Sequence, residues 1–169
     1  MRALVRKNAA EIQGFLVALA VLITIVPAVA NAAPPQEGPA EKAAVQKVVD
    51  GFIESLNAAD VDSFISFFAP DATLFFPMSS LPLRLEDRQQ IATAFGAFFE
   101  AVRRQQPGPP FMNLIPVGMR MQLFGSVAVV TFHLNGEDML GRRTLVLQRR
   151  SGRWLIVHLH ASSLPLQKQ

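Results

Sequence analysis

The stretch RRSGRWLIVHLHASS, Arg149–Ser163, predicts the structure of the C-terminal part of this chain. Ser151-Gly152 is a pair typical of a two-residue β-hairpin turn, and strand-forming residues follow it. His158 and His160 are two residues apart, so their side chains point to the same face of a strand. The stretch therefore predicts a hairpin that presents two imidazoles side by side.

A two-residue turn also fixes which residues of the two strands lie opposite each other. Directly opposed side chains share a face, with Cβ atoms about 5 Å apart. Counting back from the turn therefore predicts a face that combines the two histidines with a guanidinium and apolar side chains. The expected pairs on this face are Leu147–Ile156, Leu145–His158 and Arg143–His160, with Trp154 nearer the turn.

Three helical segments precede this hairpin and the other strands. Apolar residues recur at three- and four-residue steps in each segment, which is the spacing of one helix face. Because helices come first and a meander of strands follows, the pattern predicts an α+β fold. The expected helices run from Glu41 to the turn at Asn57–Asp60, over 61–69, with Asp60 as the N-cap, and over 87–105; the expected strands are 72–77, 111–123, 127–134, 142–150 and 154–162.

Residues 1–32 have the pattern of a secretory signal peptide. A basic start, MRALVRK, precedes the 17-residue apolar run Gly14–Ala30 and two A-x-A sites. Cleavage is expected after Ala30 or Ala32, which gives a secreted or periplasmic protein. The alternative is an uncleaved membrane anchor, although the run is shorter than the about 20 residues that span a bilayer and Pro27 interrupts it.

Residues 33–40 are rich in proline and are expected to form a linker, followed by one domain at 41–166. The formal net charge is +3, and residues 1–30 carry +2 of it. No basic run with interleaved aromatic residues occurs, so nucleic-acid binding is not expected. The chain has no cysteine, so the domain must depend on its apolar core for stability.

Two segments of this domain resemble a known superfamily. SLNAADVDSFISFFAPDATLFFP, Ser55–Pro77, resembles the opening of SnoaL-like domains of the nuclear-transport-factor-2-like (NTF2-like) superfamily. RRSGRWLIVHLHASSLPLQ, Arg149–Gln167, resembles the closing strands of the association domain of calcium/calmodulin-dependent protein kinase II and its bacterial relatives. The resemblance covers about 41–166. It implies a cone-shaped, curved antiparallel sheet packed against three N-terminal helices, a pocket in the cone, and a homodimer formed through the sheet.

The resemblance also tests one enzymatic function. Ketosteroid isomerases of this superfamily use a carboxylate before the proline of the first strand, a tyrosine on the first helix, and a protonated acid on a later strand. The corresponding positions here are Phe76 before Pro77 and Phe52 on the first helix, and the chain has no tyrosine. Between Val127 and Ala161, acidic residues occur only at Glu137 and Asp138 in a loop. The isomerase groups are therefore missing.

A metal site is the alternative use of the histidines, with His133 as a third ligand. The meander order places a strand carrying Arg143 between the strands of His133 and His160. Two strand spacings are about 10 Å, too far for both imidazoles to reach one zinc. The guanidinium between them would also repel a cation, so neither a metal nor a cofactor is expected.

The sequence thus predicts an exported domain that binds a small apolar or weakly anionic molecule in its cone pocket. Two alternatives remain open at this point. One is an isomerase, hydrolase or cyclase acting on a polyketide- or steroid-like substrate, with a histidine as acid or base; the other is an assembly module, with the histidines at an interface. Catalytic residues are not identified. The predicted ligand-binding residues are His158, His160, Arg143, Trp154, Leu145, Phe52 and Phe76.

Overall fold

A computed structural model describes residues 38–105, 107–136 and 138–166. The predicted signal peptide and residues 33–37 of the predicted linker lie outside these ranges. No helix in the described ranges is long and apolar enough to cross a bilayer.

Three helices and five strands form the domain in the expected order of helices first and meander last. The first helix begins at Pro39, two residues before its expected start at Glu41, and a proline is tolerated in the first turn because its missing N–H would have no partner there. The helices are α1 (Pro39–Asn57), α2 (Val61–Ser66) and α3 (Arg88–Gln105), and the strands are β1 (Phe68–Phe75), β2 (Pro116–Phe124), β3 (Val127–Asn135), β4 (Met139–Arg150) and β5 (Arg153–Pro165).

The strands form one curved sheet in the order β1-β5-β4-β3-β2, which is not closed into a barrel. This confirms the predicted α+β class. β2 to β5 are an antiparallel meander, but β1 runs parallel to β5. The sheet is therefore mixed rather than wholly antiparallel, because the crossover through α3 and the meander bring β5 back alongside β1 in the same direction.

Two predicted boundaries were wrong for a tertiary reason. α2 ends at Ser66 rather than Ala69, because Phe68 is buried in the sheet and the preceding carbonyl, of Phe67, accepts a hydrogen bond from Ile156 N. The segment 111–115 is not part of β2. It is bound instead to the end of α1, where Asn57 O accepts from Phe111 N at 2.8 Å and the Asn57 side chain bonds both main-chain groups of Leu114.

A cluster of phenylalanine rings fills the space between the helices and the sheet. Phe64 of α2 lies at its centre, with ring centroids 4.4 Å from Phe95 and 5.0 Å from Phe68. Phe52 and Phe99 complete the cluster. All five rings are buried, so burial of aromatic surface is a main source of stability for this domain without disulfides.

Glu41 connects the first turn of α1 to the β4–β5 hairpin. One carboxylate oxygen accepts from Arg149 Nη1 at 2.7 Å, and the other accepts from the indole N–H of Trp154 at 3.0 Å. The N–H of the buried Trp154 therefore has a partner, and α1 is held against the hairpin at that point.

Candidate functional site

The β4–β5 hairpin follows the predicted register only near its turn. Arg150 lies opposite Arg153 and Leu147 lies opposite Ile156, as expected. The next pair is Val146 with His158, so Val157 is an extra residue without a partner, a β-bulge. The expected pairs Leu145–His158 and Arg143–His160 were therefore wrong: Leu145 faces Leu159, and Arg143 faces Ala161.

Burial of apolar side chains explains the bulge. Leu145 and Leu147 on β4 point to the core, and Ile156 on β5 does so beside them. Farther along β5 the apolar residues are Leu159 and Ala161, which have the opposite parity. Without the extra residue, these two would face solvent and the histidines would enter the core. The bulge instead buries both, with exposures of only 2% and 4%.

The histidines consequently lie on the outer face of the sheet, the face turned away from the helices. They line an open depression of about 460 Å³, which we call the outer depression. Thr144 lies opposite His160, and Arg142 lies opposite Ser162. The lining residues are Arg142, Thr144, His158, His160 and Ser162.

His158 is fixed from the side of β1. Its Nδ1 lies 2.8 Å from Thr73 Oγ1, and the Phe75 ring lies with its centroid 5.5 Å from the imidazole centroid. Burial lowers the pKa of His158, and the positive charges of His160 and Arg84 lower it further. His158 is therefore neutral at neutral pH, with one ring nitrogen bound to the threonine.

Arg142 is the cation of the outer depression. It is exposed on β4 and forms no ion pair with any residue in the described part of the chain. None of the five lining residues is a carboxylate. The depression therefore has hydrogen-bond donors and positive charge but no negative charge in its wall.

Arg143 lies on the opposite, inner face, in a row between Phe132 and Ala161. Its Nη1 donates to two main-chain carbonyls, of Arg142 at 2.9 Å and Ser162 at 3.2 Å. Burial lowers the pKa of this guanidinium below its usual value. Within the described ranges it has no carboxylate partner. A cation removed from water without a counter-ion is unusual in a protein.

Glycine at position 141 makes room for this arrangement. A Cβ built there would lie 3.3 Å from Arg143 Nη1 and 3.3 Å from Leu134 O. Both contacts are tighter than ordinary van der Waals packing, so the guanidinium occupies space that a side chain at 141 would take.

The other predicted ligand-binding residues all lie on the inner side. Phe52, Leu145 and Trp154 are fully packed core residues. Phe76 is partly buried and packs on Phe95 and Phe98 of α3. The structure thus divides the predicted site: Arg143 and the apolar residues are inside, and the two histidines are outside. Their role in ligand binding stays a prediction.

At the two positions compared with the isomerases, the phenylalanine rings pack against neighbouring rings. The Phe52 ring belongs to the central cluster, 5.4 Å from Phe64, and the Phe76 ring lies 5.4 Å from Phe95. Neither ring can transfer a proton. His133 lies on the outer face of β3 opposite Arg142, with β4 between it and the histidines of β5. In the described residues, no three histidine, aspartate or glutamate side chains are grouped to hold a metal.

Sequence reasoning missed the residues that actually surround the histidines. These are Arg142, Thr144 and Ser162 in the depression, and Thr73 and Phe75 on β1. The sequence held only an ambiguous signal, because the consecutive apolar residues Leu155, Ile156 and Val157 allow either strand phase on the side of His158. A β-bulge adds one residue to a strand and so changes its phase relative to its partner.

Comparison with known proteins agrees with this architecture. The family model described as a SnoaL-like domain matches residues 45–167. No curated protein matches the chain.

Similar solved structures come from several bacteria. An NTF2-like protein of unknown function from Pseudomonas putida is 18% identical, with a TM-score of 0.60 over 74% of this chain and 87% of that one. A candidate calcium/calmodulin dependent protein kinase II association domain from Xanthomonas campestris is 24% identical, with a TM-score of 0.57 over 79% and 94%. A candidate ketosteroid isomerase from Parabacteroides distasonis is 22% identical, with a TM-score of 0.54 over 69% and 85%. At these identities the likeness concerns the fold. By its family-model match over residues 45–167, the chain belongs to the SnoaL-like domain family, and its fold is similar to that of NTF2-like proteins.

Proposed function

We propose that this domain binds a small molecule with an apolar body and a carboxylate or similar anionic group at the open end of its inner face. The observation that carries the proposal is Arg143, a partly buried guanidinium without a carboxylate partner in the described ranges. The domain acts as a binding module rather than as an isomerase.

The electrostatics of Arg143 favour an anion. Its two hydrogen bonds to main-chain carbonyls leave its net charge uncompensated. A carboxylate would supply both the missing charge and acceptors that match the planar fork of the guanidinium. Burial has already removed part of the hydration of Arg143 and lowers the pKa of its guanidinium. Less desolvation would therefore remain to oppose ligand binding.

Apolar residues at the same end of the inner face provide a wall for the ligand body. Phe76 follows Phe75 in the chain, and since Phe75 faces outward beside His160, Phe76 faces inward. Its partner Phe98 is also only partly buried. The deeper interior is filled by the phenylalanine cluster, so the ligand would occupy the open end. A mostly apolar site with one charged group is the usual design of a small-molecule pocket.

Phenylalanine at both isomerase positions supports binding without proton transfer. Phe52 and Phe76 have neither an acidic nor a basic group, and both pack against neighbouring rings. An acid–base reaction that used these two positions, as in the isomerases, would have no group there to carry the proton.

Titration with small model ligands tests the proposal. Hexanoate and phenylacetate are the probes, and hexanol is the uncharged control; binding is measured by calorimetry or amide chemical shifts. Arg143→Gln should weaken hexanoate binding roughly tenfold or more, because a charge-assisted hydrogen bond is lost. Arg142→Gln is the matched control, since the neighbouring arginine lies on the opposite face. Equal weakening by both variants, or equal affinity for hexanoate and hexanol, would contradict the proposal.

Pairing of two copies through the β2 side of the outer face is a second candidate function. It is favoured by Phe124 and Val117 on β2, whose side chains are 60% and 44% exposed on that sheet. The homodimer through the sheet that the family resemblance implies is the other reason for this candidate. Light scattering after size exclusion should give the mass of a dimer for the wild type and of a monomer for Phe124→Asp. A monomeric wild type would overturn this proposal.

Export is the third part of the proposal and rests on residues 1–32 alone. Expression in a Gram-negative host followed by fractionation should place the protein outside the cytoplasm. Mass spectrometry should find a mature chain that begins at Asn31 or Ala33. An intact chain that remains in the membrane fraction would favour the anchor instead.

A further inference from the structure

We infer that the outer depression is a second, separate binding site, specific for a strongly ionised oxyanion such as a phosphoryl or sulfo group. The inference does not depend on the inner site proposed above. It rests on which donors the β-bulge brings together, on the charges around them, and on the arrangement of His158.

The geometry collects donors from two neighbouring strands. His160 and Ser162 on β5 lie opposite Thr144 and Arg142 on β4. Opposed Cβ atoms are about 5 Å apart, and neighbours on the same strand face are about 7 Å apart. Four donor side chains thus lie around one point, and each is long enough or close enough to reach an anion above it.

The kind of donor indicates the kind of ligand. The depression offers a guanidinium, two hydroxyl groups and two imidazoles, all of which can donate. A phosphoryl or sulfo group has three outer oxygens and can accept from several strands at once. A carboxylate has two oxygens and lies in one plane, so it would use fewer of these donors. The ordinary partner of such a mixed set is therefore the larger oxyanion.

Charge around the depression favours the same ligand. Arg142 has no ion pair in the described ranges. His133 lies opposite it on β3, which adds another basic side chain to the same row. The outer-face carboxylate of Asp71 is bound bidentately by Arg150. Arg150 and Arg142 are eight positions apart on β4, which is about 26 Å.

The acidic groups near β1 do not neutralise the depression either. Arg84, which is close enough to lower the pKa of His158, forms its own ion pair with Glu86 at 2.9 Å. The groups facing the imidazoles are therefore Thr73 and Phe75 from β1, Arg84 from the preceding loop, and Arg142 and Thr144 from β4.

The surroundings of His158 should make anion binding in the outer depression dependent on pH. His158 is neutral at neutral pH and is held by Thr73, so it adds no charge there. An anion bound in the depression would favour the protonated imidazole and draw a proton onto the site as it binds. Affinity should therefore rise as the pH falls through the histidine range, and decrease as the pH rises.

The test uses sulfate and phenyl sulfate, because their charge stays constant while a phosphate monoester changes charge near about pH 6. Binding is followed by amide and imidazole chemical shifts at about pH 5.5 and about pH 8, on either side of the usual histidine pKa. We expect tighter binding at the lower pH, with shifts concentrated at His158, His160 and Thr144. Inorganic phosphate should displace phenyl sulfate, and benzoate should do so more weakly.

Matched variants distinguish sulfate binding in the outer depression from sulfate attraction to the net charge of the sheet. Arg142→Gln should weaken sulfate binding roughly tenfold. Arg120→Gln removes the same charge from β2 of the same sheet but outside the depression, and should change binding less than about twofold at moderate salt. His158→Gln should reduce the pH dependence while leaving some binding. Arg143→Gln should weaken hexanoate binding much more than sulfate binding, because the Arg143 guanidinium lies on the inner face.

Several outcomes would overturn this inference. Equal weakening by Arg142→Gln and Arg120→Gln would mean that sulfate senses only the net charge of the sheet. Benzoate binding as tightly as phenyl sulfate would remove the specificity. Absence of sulfate binding at both pH values would refute the site, even if hexanoate still binds through Arg143. Conversely, if hexanoate does not bind through Arg143 but sulfate binds as expected, only the inner-site proposal fails and the outer site stands.

Discussion

His158 lies opposite Val146 in the β4–β5 ladder, and Val157 is an extra residue between this pair and the Leu147–Ile156 pair. This relationship decides what the two histidines can do. They are directed away from the core, into a depression with Arg142, while Arg143 is directed inward. Two adjacent arginines are thereby assigned to opposite faces of one strand, and each can serve a different ligand.

Deletion of Val157 should be far more damaging than its truncation. Without the extra residue, either Leu159 and Ala161 or Trp154 and Ile156 would leave the core. The deletion should therefore cost more than about 3 kcal/mol of unfolding free energy or prevent folding. Val157→Ala keeps the length and should cost only about 1 kcal/mol, since the side chain is partly exposed. Urea denaturation measures both, and similar losses would show that the bulge does not set the register.

Removal of the Glu41 carboxylate should loosen α1 from the hairpin. Glu41→Ala leaves the N–H of the buried Trp154 without an acceptor, which should cost about 1–3 kcal/mol. Glu41→Gln keeps an oxygen that can accept from the indole and should cost less. Glu54→Ala, on an exposed position of the same helix, should change stability by less than about 0.5 kcal/mol. Thermal unfolding of the three variants tests the order, and an equal effect at Glu54 would contradict it.

The imidazole of His158 should titrate below its usual pKa. Burial is the largest cause, followed by the charges of His160 and Arg84. His160→Gln should therefore move the pKa of His158 upward without restoring it fully. Because the folded-state pKa is below the unfolded one, the unfolded chain binds the proton first, and this group's contribution to stability is lost as the pH falls below about 6.5.

Imidazole chemical shifts against pH measure the value directly. Thr73→Val provides an independent comparison, because it removes the hydroxyl on Nδ1 but preserves the size of the side chain. A His158 pKa at or above the ordinary histidine value in the wild type would show that burial does not control it.

The Asp60 cap should contribute to stability above the acidic range only. Its carboxylate accepts from Asp62 N and Ser63 N at the start of α2, and its pKa is lowered chiefly by the hydrogen bond from the Ser63 side chain. Asp60→Ala should cost about 1 kcal/mol at neutral pH, whereas Asp60→Asn should cost less. The difference between wild type and alanine variant should shrink as the pH falls through the lowered pKa. Denaturation at several pH values tests this, and a difference that persists in acid would argue against a charged cap.

Local sequence signals were sufficient for much of the fold. The Ser151-Gly152 turn is formed as expected, with positive φ at both residues. Asp60 caps α2 as predicted. Turns and caps depend on a few adjacent residues, so they can be inferred before any tertiary contact is known. The parallel partner of β1 could not be inferred in this way, because it depends on where the chain returns after α3 and the meander.

In the candidate site, too, some features follow from the sequence and others depend on tertiary contacts. The sequence determined that two imidazoles share one strand face, that no tyrosine is available, and that Phe76 precedes Pro77. It could not determine which face the imidazoles occupy, because Leu155, Ile156 and Val157 are all apolar and are compatible with either phase of the strand. Only the tertiary structure decided this, since the core must bury Ile156 and also Leu159, and one unpaired residue between them is what allows both.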